Sequence, residues 1–340
     1  MLDKNKDIAH IKTYLGIIVA VIFVIILKDL KSIFIPLLLS VLLYFLFNSV
    51  VRKMLSWKIP KSFALLILLF FLFVIFYLIG ILLFANIASV SENFPKYSDN
   101  ISRMLENFTH KINIPKLDSV LKSIKWSEIA PVLTGTFGTF ATFIGNIILV
   151  IIFLMFMLAG RESLFKRLHT AFLHEKANKI IELLNSIEEQ VQHYLLIKAG
   201  VSFITAIISL AILLVGNMDF AIFSTILIFV LNFIPNLGSI VATIFPVLIA
   251  IAQKGFVLET FLIIGGLILT QIIIGNVLEP KITGKSINIS PLVILISLIL
   301  WGWMWGIVGM MLAVPITSAL KIVFSHIPRL KPISDLISNE

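Results

Sequence analysis

Residues 220–252 read FAIFSTILIFVLNFIPNLGSIVATIFPVLIAIA, 33 consecutive positions without a charge, interrupted near their centre by Pro235, Asn236 and Gly238. An α-helix needs about 20 residues to cross the roughly 30 Å hydrocarbon core of a bilayer. The stretch is therefore too long for one span and too short for two spans and a turn. Each arm holds about 15 residues, or about 22 Å of helix, which falls short of the bilayer. Proline removes a backbone donor, asparagine and glycine tolerate turn geometry, and all three fall together. The economical solution is a re-entrant helical hairpin whose tip lies at membrane depth, where irregular backbone is tolerated only against protein or a water-filled cavity. The bland alternative is that glycine and proline mark kinks or close helix packing.

The same shape recurs downstream. After an apolar span from Phe256 to Ile274, the segment Pro291 to Val323 is again 33 residues long, broken near its centre by Gly302, Gly306 and Gly309 and followed by Pro315. Two interrupted segments in comparable places of one half are the sequence pointer to a transporter site. Upstream, Tyr14–Leu27, Ile33–Val51, Ser62–Val90, Phe137–Ala159 and Lys198–Val215 read as spans. The expected fold is an all-α polytopic membrane protein with about six full transmembrane helices, two broken or re-entrant hairpins and amphipathic helical inserts. The expected division is 1–90 for a three-span segment, 91–136 for an extramembrane insert, 137–160 for a fourth span and 161–197 for a cytoplasmic amphipathic helix. A transport core follows at 198–325, then a cytoplasmic tail at 326–340.

Composition agrees that lipid is the solvent. Of 340 residues, 59% are hydrophobic and only 13% charged, with a mean hydropathy of +1.08, more apolar surface than one soluble core buries. The formal charge of +9 could suggest nucleic acid. However, the basic residues sit in short segments beside apolar runs, where they act as topology signals and headgroup contacts. There is no cysteine, which excludes disulfides and thiolate metal sites. Lys4, Lys6 and Lys12 before the first apolar run resemble a signal peptide, but no small-residue cleavage site follows, so the first span is read as uncleaved.

Arg52, Lys53, Lys58 and Lys61 stand between the second and third spans with no acid among them, the mark of a cytoplasmic loop. Both termini are then cytoplasmic, and residues 91–131 lie outside. Two stripes spaced alternately by four and three residues suggest packed helical seams: Val90, Phe94, Tyr97, Ile101, Met104 and Phe108, then Leu173, Ala177, Ile180, Leu184, Ile187, Val191 and Tyr194. Each either covers a neighbouring helix of its own chain or helps to build a homo-oligomer.

Between Lys198 and Val323 the only acids are Asp219, Glu259 and Glu279. An ionisable group at membrane depth is costly and usually functional. Asp219 and Glu259 fall at apparent boundaries and read as solvated. Glu279 follows the polar pair Gln271 and Asn276 and abuts Pro280 and Lys281, so it is the candidate proton or cation relay, or else an interfacial acid paired with Lys281 or Lys285. Asn232, Asn236, Ser239 and Thr243, near Pro235 and Gly238 at the first tip, could meet a small hydroxylated solute or a cation, or satisfy broken-helix backbone. Trp303, Gly306, Gly309 and Pro315 are gate or hinge candidates, with Trp301 and Trp305 completing an aromatic run.

Catalytic readings fare badly. His169, His174 and Glu175 lack the spacing of a zinc helix, and no glycine run ends in the Gly-Lys-Ser/Thr of a phosphate loop. No serine sits in a Gly-x-Ser-x-Gly elbow. Neither enzymatic activity, nor a metal, nor a cofactor is expected.

The C-terminal motifs, taken in order, carry a resemblance: Phe233-Ile234-Pro235-Asn236-Leu237-Gly238 with Pro246, Asn276, Glu279-Pro280-Lys281-Ile282-Thr283-Gly284, Ser290-Pro291-Leu292, and Gly306 to Gly309 with Ala313-Val314-Pro315. Together they resemble the AI-2E family of bacterial membrane proteins over nearly the whole chain. The resemblance implies an oligomeric permease of the bacterial cytoplasmic membrane. Some relatives are associated with export of autoinducer-2 and others with sodium or lithium exchange for protons. The first expectation is thus a secondary exporter of a small polar molecule, the second a monovalent cation/proton antiporter, and the third a membrane scaffold without transport.

Overall fold

The structure is a computed structural model. It describes residues 24–82, 147–235, 237–283 and 288–338, with 14–16, 18, 19, 21, 22 and 100. The insert at 91–136 apart from residue 100, the stripe from Val90 to Phe108, Asn236, Gly284 and Lys285 lie outside the described residues.

Helices α1 (Lys31–Ser56) and α2 (Lys61–Leu82) are joined by a tight turn in which Lys58 takes φ 62°. They pack with α3 (Ile147–Ala171) through Tyr44, Val51, Leu65, Leu68, Leu72, Leu154 and Leu158. Next comes α4 (His174–Val215), then α5 (Ala221–Leu231) and α6 (Leu237–Lys254). Helix α7 (Leu258–Gln271) continues as a π-turn over Ile272–Leu278 and a last α-turn over Glu279–Thr283. Helices α8 (Pro291–His326) and α9 (Lys331–Ile337) complete the fold. Among the described residues seven helices are long and apolar enough to cross a membrane, and the protein is an all-α polytopic membrane protein. With 11 residues, about 16 Å of helix, α5 is not among them.

Both interrupted segments reverse the chain. In the first, α5 and α6 run antiparallel on either side of a turn at 232–235, and the ring of Phe223 meets Phe245 edge-on at 5.1 Å. The hairpin's open end is tied by Gln253, which accepts from the Asp219 N–H at 2.9 Å and donates to the Asn217 carbonyl at 3.0 Å. The two legs pack tightly at Gly238, where a Cβ would stand 1.9 Å from the Leu231 carbonyl oxygen.

The second hairpin is α8, whose path reverses at Trp305 (φ −130°, ψ 15°) and Gly306 (φ 64°, ψ −142°). That conformation at position 306 belongs to glycine. Across the reversal, Thr317 Oγ1 donates to Ser297 Oγ at 2.8 Å. Gly309 lies so close to Trp301 that a Cβ would stand 1.9 Å from its carbonyl oxygen. The open end is closed by Lys321, which donates to the Asn288 carbonyl at 2.6 Å, and by α9, whose Ile337 carbonyl accepts from the Ser290 N–H at 2.9 Å.

Three details depart from the sequence reading. The expected first span does not end in a loop: helix 24–29 passes into α1 through Leu30 alone, with the Leu30 N–H on the Ile26 carbonyl and the Phe34 N–H on the Leu30 carbonyl. Residues 174–215, expected as a cytoplasmic helix followed by a span, form one rod, since they contain no proline and the single interior glycine, Gly200, leaves open space. The break falls at Phe172–Leu173. Helix α7 does not stop near Ile274. Pro280 lacks an N–H and its ring crowds the carbonyl four residues back, so the ladder shifts register, and the Glu279 N–H reaches Ile274 in the i→i−5 manner of a π-turn.

The second stripe packs within the chain: Ala177, Val191 and Tyr194 are buried, whereas Leu173 is 85% exposed. Val191, Tyr194 and Leu195 join Leu42 of α1 and Leu312 and Val314 of α8. A larger cluster, including Leu213, Ile228, Ala242, Leu267, Leu298 and Ala313, binds α4 to both hairpins and α7. Helix α4 is thus the rod shared by the N-terminal bundle and the hairpin-bearing half.

Candidate functional site

The tip of the first hairpin rests over a cavity of about 60 Å³ between α4 and the π-turn of α7. Asn232, Ile234, Pro235 and Ser239 come from the hairpin, Lys198, Val201 and Thr205 from α4, and Gln271, Gly275, Asn276 and Glu279 from α7. Six of the residues expected from sequence meet here: Asn232, Pro235, Ser239, Gln271, Asn276 and Glu279. The volume holds about two water molecules, too little for a sugar-sized solute.

Among the described residues the cavity's charges are a single ion pair. Lys198 Nζ donates to Glu279 Oε1, and the lysine is buried at 4% exposure. Glu279 therefore pairs across to α4, whereas Lys281 is exposed on the far side of its turn. Thr205 donates back to the Val201 carbonyl at 2.9 Å, leaving its oxygen lone pairs to the cavity. Gln271 Nε2 is buried without an acceptor among the described residues. The site thus offers a free amide donor beside a neutral ion pair.

The remaining sequence candidates shape or surround the hairpins. Gly238 sits buried behind the first tip, and Thr243 donates back to the Ser239 carbonyl one turn earlier in α6 at 2.7 Å, outside the cavity lining. Pro280 generates the π-turn. Trp303 is exposed, with Lys28 Nζ 3.9 Å from its ring centroid. Its buried neighbour Trp305 anchors the second tip: its ring stacks on Trp301 at 4.9 Å and on Phe34 at 6.2 Å, and its Nε1–H donates to the Leu27 carbonyl at 3.2 Å. Gly306 and Gly309 form that tip, and Pro315 is buried in its second leg.

Sequence reasoning missed Lys198 because it was read as the boundary of a span. Its signal was present: one lysine between Leu195-Leu196-Ile197 and Ala199-Gly200-Val201. It also missed a second charged centre. Glu188, about 15 Å before Lys198 along α4, is buried and accepts from four side chains. Oε1 takes Arg52 at 2.5 Å and Asn48, while Oε2 takes Arg161 at 3.1 Å and Tyr44 at 3.4 Å. This centre ties α1, α3 and α4 together beside a cavity of about 470 Å³. Removing one partner of a buried pair costs about 3–5 kcal/mol, and since Arg52 is half-exposed the expected loss for Glu188→Ala is about 2 kcal/mol. Thermal unfolding in detergent should show a clear fall for Glu188→Ala and little change for the exposed neighbour Glu189→Ala.

The sequence is similar to that of known transport proteins over nearly its full length. It is 28% identical over 315 residues to the AI-2 transport protein TqsA of Escherichia coli (strain K12), covering 91% of this chain and 90% of that one. It is 31% identical over 323 residues to a "Putative transport protein" of Borreliella burgdorferi, covering 94% and 88%. A Haemophilus influenzae protein of the same name is 27% identical over 326 residues, covering 93% of each chain. The sequence model described as AI-2E family transporter matches residues 15–329. This match over nearly the whole chain shows that the protein belongs to the AI-2E family of membrane transporters.

Proposed function

We infer that the chain is a secondary permease that exports a small, electrically neutral polar solute of the autoinducer-2 kind across the bacterial cytoplasmic membrane. The observation that carries this reading is the cavity at the first hairpin tip, whose polar lining is amide and hydroxyl apart from one neutral ion pair. A hydroxylated solute can donate to Glu279 and accept from Lys198 and Gln271 without leaving net charge behind. A bare sodium or lithium ion beside Lys198 and Glu279 would make the site singly positive, and uncompensated buried charge costs several kcal/mol. That comparison favours a neutral solute over cation/proton exchange. The name of the Escherichia coli relative supports the same solute class.

The basic run Arg52 to Lys61 argues for cytoplasmic termini. If the Glu188 centre marks that interface, Lys198 stands near the middle of the hydrocarbon core. In this reading residues 198–325 form the transport core, whose first hairpin moves against the α4 rod, within a homo-oligomer. A sugar-sized solute exceeds the cavity of about 60 Å³, so loading requires the first tip to withdraw.

The test is flux in proteoliposomes holding purified protein, with autoinducer-2, sodium and lithium each offered with and without a proton or sodium gradient. Autoinducer-2 flux above protein-free vesicles is the expected result. Cation/proton exchange without solute flux would replace this reading by the antiporter, and no flux of any kind would leave a scaffold.

A further inference from the structure

Net transport in one direction requires the emptied site to return, and that step depends on the charge left behind when the solute departs. In the described cavity the remaining charges are Lys198 and Glu279, an ammonium and a carboxylate from different helices with no third charge in the lining. Without its partner, the Glu279 carboxylate, whose side chain is 24% exposed, would carry a desolvation penalty that this exposure reduces but does not remove. The pair removes that penalty.

We propose that Lys198 is the built-in counter-cation of the empty site: it neutralises Glu279 after solute release, closes the cavity and so permits net transport rather than obligatory exchange. This rests on the solute-permease reading. Three observations carry it. Lys198 is buried at 4% exposure, and its one partner among the described residues is Glu279, so two ammonium hydrogens remain for a solute's oxygens. The two charges sit on different helices, Lys198 on the rod that the Glu188 centre ties to α1 and α3 and Glu279 on α7, and both helices pack against the first hairpin. The pair lies under the tip that has to move, where closing and neutralising are one event.

The cycle separates into two measurable halves. Exchange keeps the site loaded at each crossing, so solute hydroxyls serve Glu279 and loss of Lys198 costs only its own contacts with the solute. Net efflux includes an empty crossing, which adds the cost of an unpaired carboxylate. In proteoliposomes loaded with autoinducer-2, Lys198→Ala is expected to lower both fluxes, and net efflux into solute-free medium at least about tenfold more than exchange at equal concentrations. Lys198→Arg, which restores the charge, is expected to keep both. Equal loss of both fluxes in Lys198→Ala would reduce Lys198 to a binding or structural residue and overturn the proposal, as would loss of neither.

A second measurement needs no solute. The chain has no cysteine, and Gly275 lines the cavity with nothing within 4 Å of an added Cβ. Labelling of Gly275→Cys by a membrane-impermeant thiol reagent should accelerate about tenfold when Lys198→Ala is added, because an unpaired carboxylate draws water into the site. An unchanged rate would overturn the proposal. If the unsubstituted protein moves no autoinducer-2, the permease reading fails by itself, and the labelling rate still decides whether the pair closes the cavity.

Discussion

Glu279→Gln is expected to lower autoinducer-2 flux by about two to three orders of magnitude in protein that still assembles, a loss of about 3–4 kcal/mol. The two side chains have nearly the same shape, so the substitution isolates charge. Glutamine cannot hold the Lys198 ammonium as an ion, and that ammonium is buried beneath the first hairpin tip. The variant loses an acceptor for solute hydroxyls and leaves a positive charge without compensation. Glu259→Gln is the matched control. Its carboxylate pairs with Lys254 at 2.5 Å but is half-exposed at the hairpin's open end, where such a pair is worth about 0–1 kcal/mol. Flux in Glu259→Gln should match the unsubstituted protein, and unchanged flux in Glu279→Gln would remove Glu279 from the mechanism.

The second large effect is on folding. At Gly238 and at Gly309, adding one methyl group drives a carbon to 1.9 Å from a main-chain carbonyl oxygen across the hairpin, Leu231 in one case and Trp301 in the other. Backbone cannot rotate aside as a side chain can, so each leg has to shift. Overpacking by one carbon costs about 1–3 kcal/mol where side chains absorb it, and contact with backbone should reach or exceed the top of that range. Gly238→Ala and Gly309→Ala are expected to give poorly folded or aggregated protein in detergent. Gly306→Ala separates sterics from conformation, because no atom lies within 4 Å of its added Cβ and only its φ of 64° opposes the change. Its cost should stay within the about 1–3 kcal/mol of a strained backbone, and thermal unfolding would rank the three.

Both hairpins were legible because their signals are local. A bilayer sets the length of an apolar run, so 33 residues with a central Pro-Asn-x-Gly or a cluster of glycines have few other solutions. The polar residues of the cavity stood out for a similar reason, since Asn232, Gln271, Asn276 and Glu279 interrupt apolar sequence. What could not be read was pairing between distant segments. Glu279 and Lys198 are 81 positions apart, and each has a nearer explanation, Lys281 for the one and headgroup snorkelling for the other. Glu188 was hidden in the same way, beside Glu189 on a helix with one wet face, where only the third dimension says which of two adjacent acids turns inward. The π-turn at 272–278 follows from Pro280, but hydropathy ends the span at Ile274 and gives no sign that the helix runs on.

The most direct test of the central claim, that the solute sits beneath the first hairpin tip, is protection of Gly275→Cys from a membrane-impermeant thiol reagent by autoinducer-2. The account predicts that labelling slows as solute is added, with half-protection near the concentration that half-saturates flux. Flux that continues while labelling remains indifferent to solute would show that the transported molecule takes another path.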